Sequence, residues 1–540
     1  MSTAHVDTFA ADHLPPRALL PILDISGIPG AAYPDRLNCA VELLDRQVAA
    51  GLGDRPVLHH AQGTWSWREL ALHVHRIARV LVEDLGMVPG HRVLLRGPNN
   101  AMLAACWLAV LEAGGICVTT MPLLRARELA VICDKARIGL ALTDARLADE
   151  IEKAANACDV LQRVVHFNAA VRPDSLESLM RAKPASFDAV STAASDIAIL
   201  AFTSGTTGVP KATMHTHRDM LAVCDTFSKH VLKPSPLDVF AGSPPLGFTF
   251  GLGALLLFPM RAGASALLLE DASPPMLLEG LARHGVTICS TAPTAYRAMT
   301  ARAGGHDLAA LRACVSAGET LPRTTFDQWE SATGVRLIDG IGATELLHIF
   351  IAAPIAEVRP GSTGRVVPGY RAKIVDDDGR ELLRGEIGRL AVIGPTGCRY
   401  LADEARQRMY VRRGWNETGD AFVQDEDGYF WYQARTDDMI ISAGYNIAGP
   451  EVENVLLEHP WVQECGVVGL PDEERGQVVA AFVVLRPGFT GSADTALALQ
   501  EHVKAAIAPY KYPRRVAFVD RLPRTQTGKL QRFRLREAQP

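Results

Sequence analysis

Short apolar segments alternate with helix-like segments over most of this chain, and the alternation limits the folds that it can adopt. Between residues 92 and 122 the apolar run RVLLRGPNN (92–100) precedes the helix-like AMLAACWLAVLEAG (101–114), and the apolar ICVTTMP (116–122) follows. This order is typical of a parallel sheet with helices on its faces. It recurs through the segments 138–144, 196–203, 264–270, 285–293 and 311–319. The sequence therefore predicts a large α/β region.

The pattern changes after about residue 360, where short segments are separated by turns of glycine and acidic residues such as DDDG (376–379) and DEDG (425–428). Such turns predict antiparallel hairpins, and hence a β-rich subdomain at about 360–436. A new order of helix, two strands, helix and strand begins near residue 437, and about a hundred residues suffice for a small domain. We expect a large N-terminal α/β domain (1–436) and a small, mobile α+β C-terminal domain (437–540).

The composition, the cysteine spacing and the first residues argue against several kinds of binding partner and against secretion. The chain has 55 Lys and Arg residues against 60 Asp and Glu residues, so nothing indicates a nucleic-acid partner. Its ten cysteines are scattered without a CxxC pair, which argues against a zinc site of cysteines or a disulfide framework. The first residues, MSTAHVDTFAADHLPP, lack the basic start and apolar core of a secretory signal. We therefore expect a cytoplasmic protein.

The longest uncharged run, from Ser243 to Met260, is the one segment worth testing as a membrane span. It contains three glycines and three prolines, which would leave backbone groups unsatisfied in lipid. We interpret it as buried strand and loop, and expect no membrane partner.

A polar loop directly follows the apolar run AILAF. The loop consists of Thr203, Ser204, Gly205, Thr206, Thr207, Gly208, Val209, Pro210 and Lys211. Its backbone NH groups, hydroxyls and ammonium are able to surround a polyphosphate, which predicts an ATP phosphate clamp. The spacing differs from the Walker pattern, and a polar surface turn is the alternative interpretation.

This loop closely resembles the signature loop of the adenylate-forming superfamily, which contains acyl-CoA synthetases, peptide-synthetase adenylation domains and luciferase. Four further elements resemble that superfamily in the same order. They are Gly-Ala-Thr-Glu (342–345), Thr-Gly-Asp (418–420), the segment 435–447, and Pro-Arg-Thr-Gln-Thr-Gly-Lys (523–529). Together with the phosphate loop they extend over most of the chain.

The resemblance implies the role of each ATP-site residue. Thr344 would contact phosphate, Glu345 would hold Mg2+, Asp420 would accept both ribose hydroxyls, and Arg435 would contact ribose or phosphate. The resemblance implies further ATP-binding residues in two segments near the ends of predicted strands. They are Ala317, Gly318, Glu319, Asp339, Gly340, Ile341 and Gly342.

The resemblance also implies two half-reactions at one site. A carboxylate attacks the α-phosphate of ATP to give an acyl adenylate and pyrophosphate, and the thiol of coenzyme A then displaces AMP. The catalytic residues would be Lys529, Lys211, Thr344 and Glu345. Lys529, Lys211 and the Mg2+ held by Glu345 would supply positive charge where negative charge develops. The small domain would rotate about a hinge at Asp437 between the two steps. The predicted CoA tunnel consists of Ser442, Ala443 and Gly444.

Two departures from the superfamily bear on the acid substrate. The segment 245–252, PLGFTFGL, has aromatic residues where a histidine is common, and the usual tyrosine before Gly-x-Thr-Glu is absent. The segment 339–350, DGIGATELLHIF, resembles benzoate-CoA ligases, and PKATMHTHRDM with ISAGYNIAGPEVE is most similar to the 2-aminobenzoate branch. The expected acyl pocket is lined by Phe248, Thr249, Phe250, Ala317, Gly340, Ile341, Gly342, Leu347 and His348.

His348 would accept a hydrogen bond from an ortho-amino group if its ring is neutral, and a packed core histidine is the alternative. His215 and His217 form an HxH pair without an evident third metal ligand, so we interpret them as strand or loop histidines near the phosphate clamp.

We predict an ATP- and Mg2+-dependent aryl-CoA ligase for 2-aminobenzoate or benzoate, acting as a monomer or homodimer. An enzyme that loads an aryl acid onto a carrier protein remains an alternative, as does a non-enzymatic nucleotide-binding protein.

Overall fold

The computed structural model describes residues 2–169, 172–203, 210–435, 438–442, 445–472, 475–525 and 528–538. Two sheets dominate the first part of the chain. In the six-stranded sheet the neighbouring strands are parallel except for the last pair. Its order is Arg163–Phe167, Leu140–Asp144, Arg92–Arg96, Ile116–Thr120, Ile197–Thr203 and Lys211–Thr216.

The second sheet has nine strands, parallel in its centre and antiparallel at both ends. Its order is Arg365–Val366, Ile349–Ala352, Leu337–Gly342, Ala313–Ser316, Ile288–Thr291, Val239–Gly242, Ser265–Leu267, Pro56–His60 and Gly63–Ser66. The strands predicted from the apolar runs are present, and the large α/β region with parallel sheets is confirmed.

Helices alternate with the strands along this part of the chain. They are Phe9–Asp12, Cys39–Leu43, Asp45–Gln47, Trp67–Arg79, Ala101–Glu112, Ala126–Ala136, Ala148–Ala157, Leu176–Arg181, His217–Val223, Pro274–Arg283, Pro293–Thr300, Arg323–Thr333 and Glu404–Tyr410. Ala101–Glu112 contacts strands of both sheets, and all of its residues are buried. The side chain of Asn100 caps it by accepting a hydrogen bond from the N–H of Leu103. Apart from Glu112 at its end, the apolar sequence of this helix therefore matches its position between the two sheets.

The segment 243–260 is largely helical, so the interpretation as strand and loop is wrong. Its helical pieces are Thr249–Leu252, Gly253–Leu257 and Phe258–Ala262. Pro244 and Pro245 lie before the first piece, and Pro259 lies where the helix type changes between the last two pieces of a continuous helical run. Its glycines allow close packing, because a Cβ atom at Gly251 would clash with the carbonyl of Pro245 and one at Gly253 would clash with the ring of His348. None of the described helices is both long enough and apolar enough for a membrane span.

A five-stranded antiparallel sheet follows, as the acidic turns predict. It is formed by Arg371–Val375, Gly388–Ile393, Val411–Arg412, Trp415–Gln424 and Phe430–Arg435. The DEDG turn joins the last two strands, and the N–H of Asp425 donates to the carbonyl of Tyr429 at 2.9 Å. This sheet is the predicted β-rich part.

The C-terminal part has a sheet and a core of its own. The strands are Ile440–Ser442, Tyr445–Ile447, Val462–Asp472, Gly476–Leu485 and Arg515–Phe518, and the helices are Gly449–Glu458, Ala493–Ala506 and Arg532–Glu537. Buried side chains such as Val452, Val467, Val479 and Leu499 pack together in a separate cluster. A smaller C-terminal αβ domain is therefore confirmed, while its predicted boundary at residues 436 and 437 lies outside the described residues.

Candidate active site

Three polar side chains from distant parts of the chain meet at the edge of the large domain. Lys211 begins an edge strand, and Glu345 lies in the short helical turn Thr344–Leu346. The Nζ atom of Lys211 and the hydroxyl of Tyr400 donate to the same oxygen, Oε1 of Glu345, at 2.7 and 2.6 Å. The sequence analysis missed Tyr400, whose segment pairs with the strand Lys211–Thr216 through a bridge to Thr213. This pairing brings the tyrosine to Lys211.

Glu345 fits the predicted Mg2+ site. Burial disfavours its charged form, but the Lys211 ammonium and the two hydrogen bonds hold the pKa of Glu345 below its usual range. Carboxylate oxygens are the ligands that Mg2+ prefers. Both described side-chain donors use Oε1, which leaves Oε2 of an ionised carboxylate for a cation.

His215 fixes the backbone next to Glu345. Its Nε2 atom lies 2.7 Å from the carbonyl oxygen of Thr344. Burial lowers the pKa of His215 to about 4, so the ring is neutral and its Nε2–H donates to that carbonyl. The second histidine of the HxH pair, His217, is also buried, and its Nδ1 atom accepts from the N–H of Cys39 at 3.2 Å. The two rings thus have separate structural partners. The interpretation as strand or loop histidines holds for His215, which lies in a strand, and is wrong for His217, which begins the helix His217–Val223.

The turn that carries Glu345 ends at a strained residue. Leu347 has a φ angle of 72° and is almost fully buried. Left-handed conformations at a non-glycine residue cost about 1–3 kcal/mol and persist only where packing enforces them. Leu347 separates Glu345, on the polar side of the turn, from His348, in an aromatic cluster. The strained turn therefore joins the predicted ATP site to the predicted acyl pocket.

Asp420 and Arg435 form a cross-strand pair. The Nη1 atom of Arg435 lies 3.1 Å from Oδ1 of Asp420 and 3.0 Å from the carbonyl of Thr418. Burial raises the pKa of Asp420, although Arg435 and Lys529 oppose the shift. Gly419 has a φ angle of 77°, and a Cβ atom there would lie 2.9 Å from the arginine. The Thr-Gly-Asp sequence thus requires its glycine at this turn.

The predicted lysine loop is held against the large domain. The N–H of Lys529 donates to Oγ1 of Thr525 at 3.1 Å, and Arg524 donates to the carbonyl of Gly528 at 2.6 Å. Arg524 also contacts Glu319 at 3.2 Å. Burial raises the pKa of Glu319, and the charge of Lys529 acts in the opposite direction. The charge of Lys529 therefore acts on both Glu319 and Asp420.

A second ion pair joins the two domains beside this loop. Glu464 of the C-terminal domain contacts Arg297 of the large domain at 3.2 Å. The other oxygen of Glu464 contacts Arg524 at 3.0 Å. The three side chains form a continuous bridge, which no sequence motif indicates.

The predicted segments 317–319 and 339–342 lie side by side, because they end or follow parallel neighbouring strands. Ligands commonly bind beyond such carboxyl ends. Burial raises the pKa of Asp339 to about 7. A Cβ atom at Gly340 would lie 3.0 Å from Ile349, and one at Gly342 would lie 2.8 Å from the carbonyl of His348. Both glycines permit the next strand to approach.

His348 lies in a cluster of aromatic rings. Its ring centroid is 4.5 Å from that of Phe258, 5.5 Å from Phe227 and 5.8 Å from Phe250. Burial lowers the pKa of His348 to about 3, so the ring is neutral. Neither ring nitrogen makes a well-formed hydrogen bond among the described residues, although the backbone of Phe250 is near enough to oppose the lowering of the pKa. Phe227 and Phe258 were not predicted, since no motif contains them.

The remaining predicted pocket residues lie at intermediate or buried positions, apart from Gly342, which is exposed. Phe248, Thr249 and Phe250 are half-buried at the start of the helical segment, as is Ile341 on its strand. Ala317 and Leu347 are almost fully buried.

Several predicted residues lie outside the described part of the chain, namely Ser204, Gly205, Thr206, Thr207, Gly208, Asp437, Ala443 and Gly444. Their described neighbours carry buried hydroxyls without a hydrogen-bond partner in the described chain, Oγ1 of Thr203 and Oγ of Ser442. Thr203 is paired across the strands with Lys211, beside Glu345.

Known families account for both domains. The family described as AMP-binding enzyme matches residues 44–400, and the AMP-binding enzyme C-terminal domain matches residues 451–529. The chain belongs to the AMP-binding enzyme family. The recognition of the adenylate-forming superfamily is thereby confirmed. The AMP-binding CoA ligases use ATP, Mg2+ and CoA, and the chain is an AMP-forming acid–thiol ligase of this kind. This excludes the non-enzymatic alternative.

Similar proteins cover nearly the whole ligase. Benzoate–CoA ligase of Thauera aromatica is 34% identical over 96% of this chain and 99% of its own length. The crystal structure of the anthranilate CoA ligase AuaEII with anthranoyl-AMP has 34% identity and a TM-score of 0.89, covering 94% of this chain and 98% of that one. The structure of a benzoate CoA ligase from Burkholderia xenovorans LB400 has 30% identity and a TM-score of 0.84, and the match covers 93% of this chain and 100% of that one. The chain thus resembles ligases named for aryl acids.

Proposed function

We propose that this ligase joins an aryl carboxylic acid to CoA through an aryl adenylate, with 2-aminobenzoate and benzoate as its preferred substrates. The observation that carries the proposal is the neutral, buried His348 with two unpartnered ring nitrogens among three phenylalanine rings. Three relatives named for benzoate or anthranilate support it.

The surroundings of His348 suit an aromatic acid. Aromatic walls pack well against a flat ring, whereas an alkyl chain does not need them. A neutral imidazole offers one N–H donor and one acceptor nitrogen. A buried polar group without a partner costs about 1–3 kcal/mol, so a core histidine normally has one. An ortho-amino group on the substrate would donate to the acceptor nitrogen and remove part of this cost.

The polar residues suit the two half-reactions. Asp420 would hold the ribose, and Glu345 would hold Mg2+, which neutralises phosphate charge when it is bound. Lys529 and Lys211 would face the α-phosphate region, where the substrate carboxylate oxygen forms its bond to phosphorus and pyrophosphate leaves. The CoA thiol would then attack the acyl carbon and AMP would leave. Ser442, Ala443 and Gly444 remain the proposed path for CoA, with Asp437 as the hinge.

A panel of aryl and aliphatic acids with ATP and CoA tests the proposal. We expect pyrophosphate release and a thioester of the correct mass with 2-aminobenzoate and benzoate, and little product from medium-chain fatty acids. Efficient turnover of octanoate with none of benzoate would contradict the aryl assignment. Adenylate formation without a CoA thioester would instead favour the carrier-protein alternative.

Replacing His348 with alanine should reduce the preference for 2-aminobenzoate. One hydrogen bond is worth about 0.5–1.5 kcal/mol, so kcat/KM for 2-aminobenzoate should fall about threefold to tenfold more than kcat/KM for benzoate. His348→Phe is the matched variant, because it keeps an aromatic ring and removes both nitrogens. It should lose the same discrimination while retaining more activity with benzoate. Equal losses for the two acids in both variants would remove His348 from this role.

The ion pair between Arg297 and Glu464 should favour the orientation that forms the adenylate. Partly exposed pairs are worth about 0.2–1 kcal/mol, so Arg297→Ala should slow pyrophosphate release about 1.5- to fivefold. Thioester formation from supplied aryl adenylate should not slow, because that step would use the rotated domain. Arg302→Ala, at an exposed position nearby, is the control. Equal slowing of both half-reactions would contradict this role.

A further inference from the structure

Three helices of the N-terminal region bring together a histidine and two carboxylates, separate from the residues of the ATP site. Asp45 begins the helix Asp45–Gln47, His75 lies in Trp67–Arg79, and Glu112 ends Ala101–Glu112. The Nε2 atom of His75 is 3.2 Å from Oδ1 of Asp45 and 3.8 Å from Oε2 of Glu112. All three ligand atoms lie within 4.8 Å of one another.

Glu112 is unsatisfied in this arrangement. Its side chain is 0% exposed, and neither carboxyl oxygen has a hydrogen-bond partner among the described residues. Burial raises the pKa of Glu112 to about 8. An ionised Glu112 therefore has no hydrogen-bond donor among the described residues. A buried carboxylate without donors is costly, and a bound cation would remove this cost.

The histidine is oriented as a metal ligand. Its Nδ1 atom lies 3.2 Å from the carbonyl oxygen of Ala185. A carbonyl only accepts, so Nδ1 carries a proton. Burial opposes a charged ring, but Asp45 and Glu112 raise the pKa of His75, so without an ion Nε2 is also protonated and donates to Asp45. Loss of that proton to a bound cation would leave the lone pair of Nε2 directed at the two carboxylates. A backbone carbonyl that fixes the tautomer in this way is the usual outer partner of a metal-bound histidine.

Two of the three distances between the ligand atoms, those from His75 to each carboxylate, suit a tetrahedral ion. Zinc bonds of about 2.0–2.2 Å to nitrogen and oxygen place neighbouring ligand atoms about 3.3–3.5 Å apart. The distances of 3.2 and 3.8 Å lie on either side of this range. Two carboxylates neutralise a divalent cation, which favours its burial. The partly exposed side chains of Asp45 and His75 leave a path for the ion and for a water as fourth ligand.

We propose that Asp45, His75 and Glu112 bind a divalent first-row cation, Zn2+ by their ligand types, which fastens three N-terminal helices together. The site is structural and independent of the ligase reaction. The competing arrangement contains no ion, and in it a protonated His75 bridges the two carboxylates.

Metal retention tests this site in the full-length protein. Tag-free enzyme is treated with a chelator, desalted, loaded with Zn2+ in the presence of a competing chromophoric chelator, and desalted again before metal analysis. We expect one equivalent of retained Zn2+, a higher Tm than for the metal-free protein, and a visible absorption band of tetrahedral Co2+ when Co2+ replaces Zn2+. Retention of no Zn2+ by the wild type would overturn the proposal.

Single substitutions locate the ion. Glu112→Gln and His75→Gln should weaken Zn2+ binding at least about tenfold and abolish the metal-dependent rise in Tm. His13→Gln, at an exposed histidine, should bind like the wild type. If either core variant does not fold, Zn2+ binding by Asp45→Asn tests the site instead. This variant should fold, because 31% of the Asp45 side chain is exposed. Undiminished Zn2+ binding in the folded variants would overturn the site. A Glu112→Gln protein with a higher Tm than the wild type would also overturn it, if Zn2+ does not change the Tm of the wild type.

Discussion

Replacing Lys529 with alanine will reduce adenylate formation by about 100- to 1,000-fold, the usual loss when one group that stabilises developing charge is removed. The loop carrying Lys529 is fastened to Glu319 by Arg524, and its charge reaches both Glu319 and Asp420. We expect the variant to convert supplied 2-aminobenzoyl adenylate and CoA to the thioester at nearly the wild-type rate, because that step develops no charge next to the lysine.

Two assays separate these effects. Pyrophosphate release with 2-aminobenzoate and ATP measures the first half-reaction, and thioester mass from supplied adenylate measures the second. Lys504→Ala, on the helix Ala493–Ala506, is the matched control and should leave both rates unchanged. Pyrophosphate release at the wild-type rate from the Lys529 variant would refute the assigned role.

Replacing Glu345 with glutamine should produce the second large effect. The substitution keeps the shape of the side chain but removes the charge that pairs with Lys211 and that would hold Mg2+. We expect pyrophosphate release to fall about 100-fold or more and to require a higher Mg2+ concentration for its half-maximal rate. A Mg2+ titration of pyrophosphate release measures both changes.

Tyr400→Phe is the comparison for Glu345→Gln. It removes one hydrogen bond to Oε1 and keeps the carboxylate, so its loss of rate should be smaller and its Mg2+ requirement should stay near that of the wild type. An unchanged Mg2+ requirement in Glu345→Gln would show that the cation is held elsewhere.

The sequence predicted the fold best where local pattern and tertiary position agree. The strands that begin at residues 92 and 116, and the helix between them, could be predicted directly from their apolar runs. The same reasoning failed for 243–260, because an apolar run alone does not distinguish a buried helix from a strand. Its glycines look like helix breakers until their neighbours are known, and those neighbours include His348, about a hundred residues away in sequence.

The sequence was enough to name the candidate site residues that lie within motifs. It was not enough to name the residues that contact them in the folded protein. Tyr400 reaches Glu345 across 55 residues, and His215 reaches Thr344 across 129. Phe227 and Phe258 surround His348 only because a helical segment and a strained turn pack together. Contacts of this kind depend on tertiary packing and leave no local spacing to recognise. The roles of the motif residues themselves remain predictions until the variants are measured.

Arg524 contacts both the lysine loop and the large domain, and this affects when ATP can react. This arginine holds the carbonyl of Gly528, next to the lysine, and at the same time contacts Glu319 on the large domain. If Lys529 acts on ATP as proposed, delivery of the lysine and docking of the small domain would be a single event. ATP bound before docking would then meet Lys211 of the large domain but not Lys529. Docking would thus guard against cleavage of ATP by water.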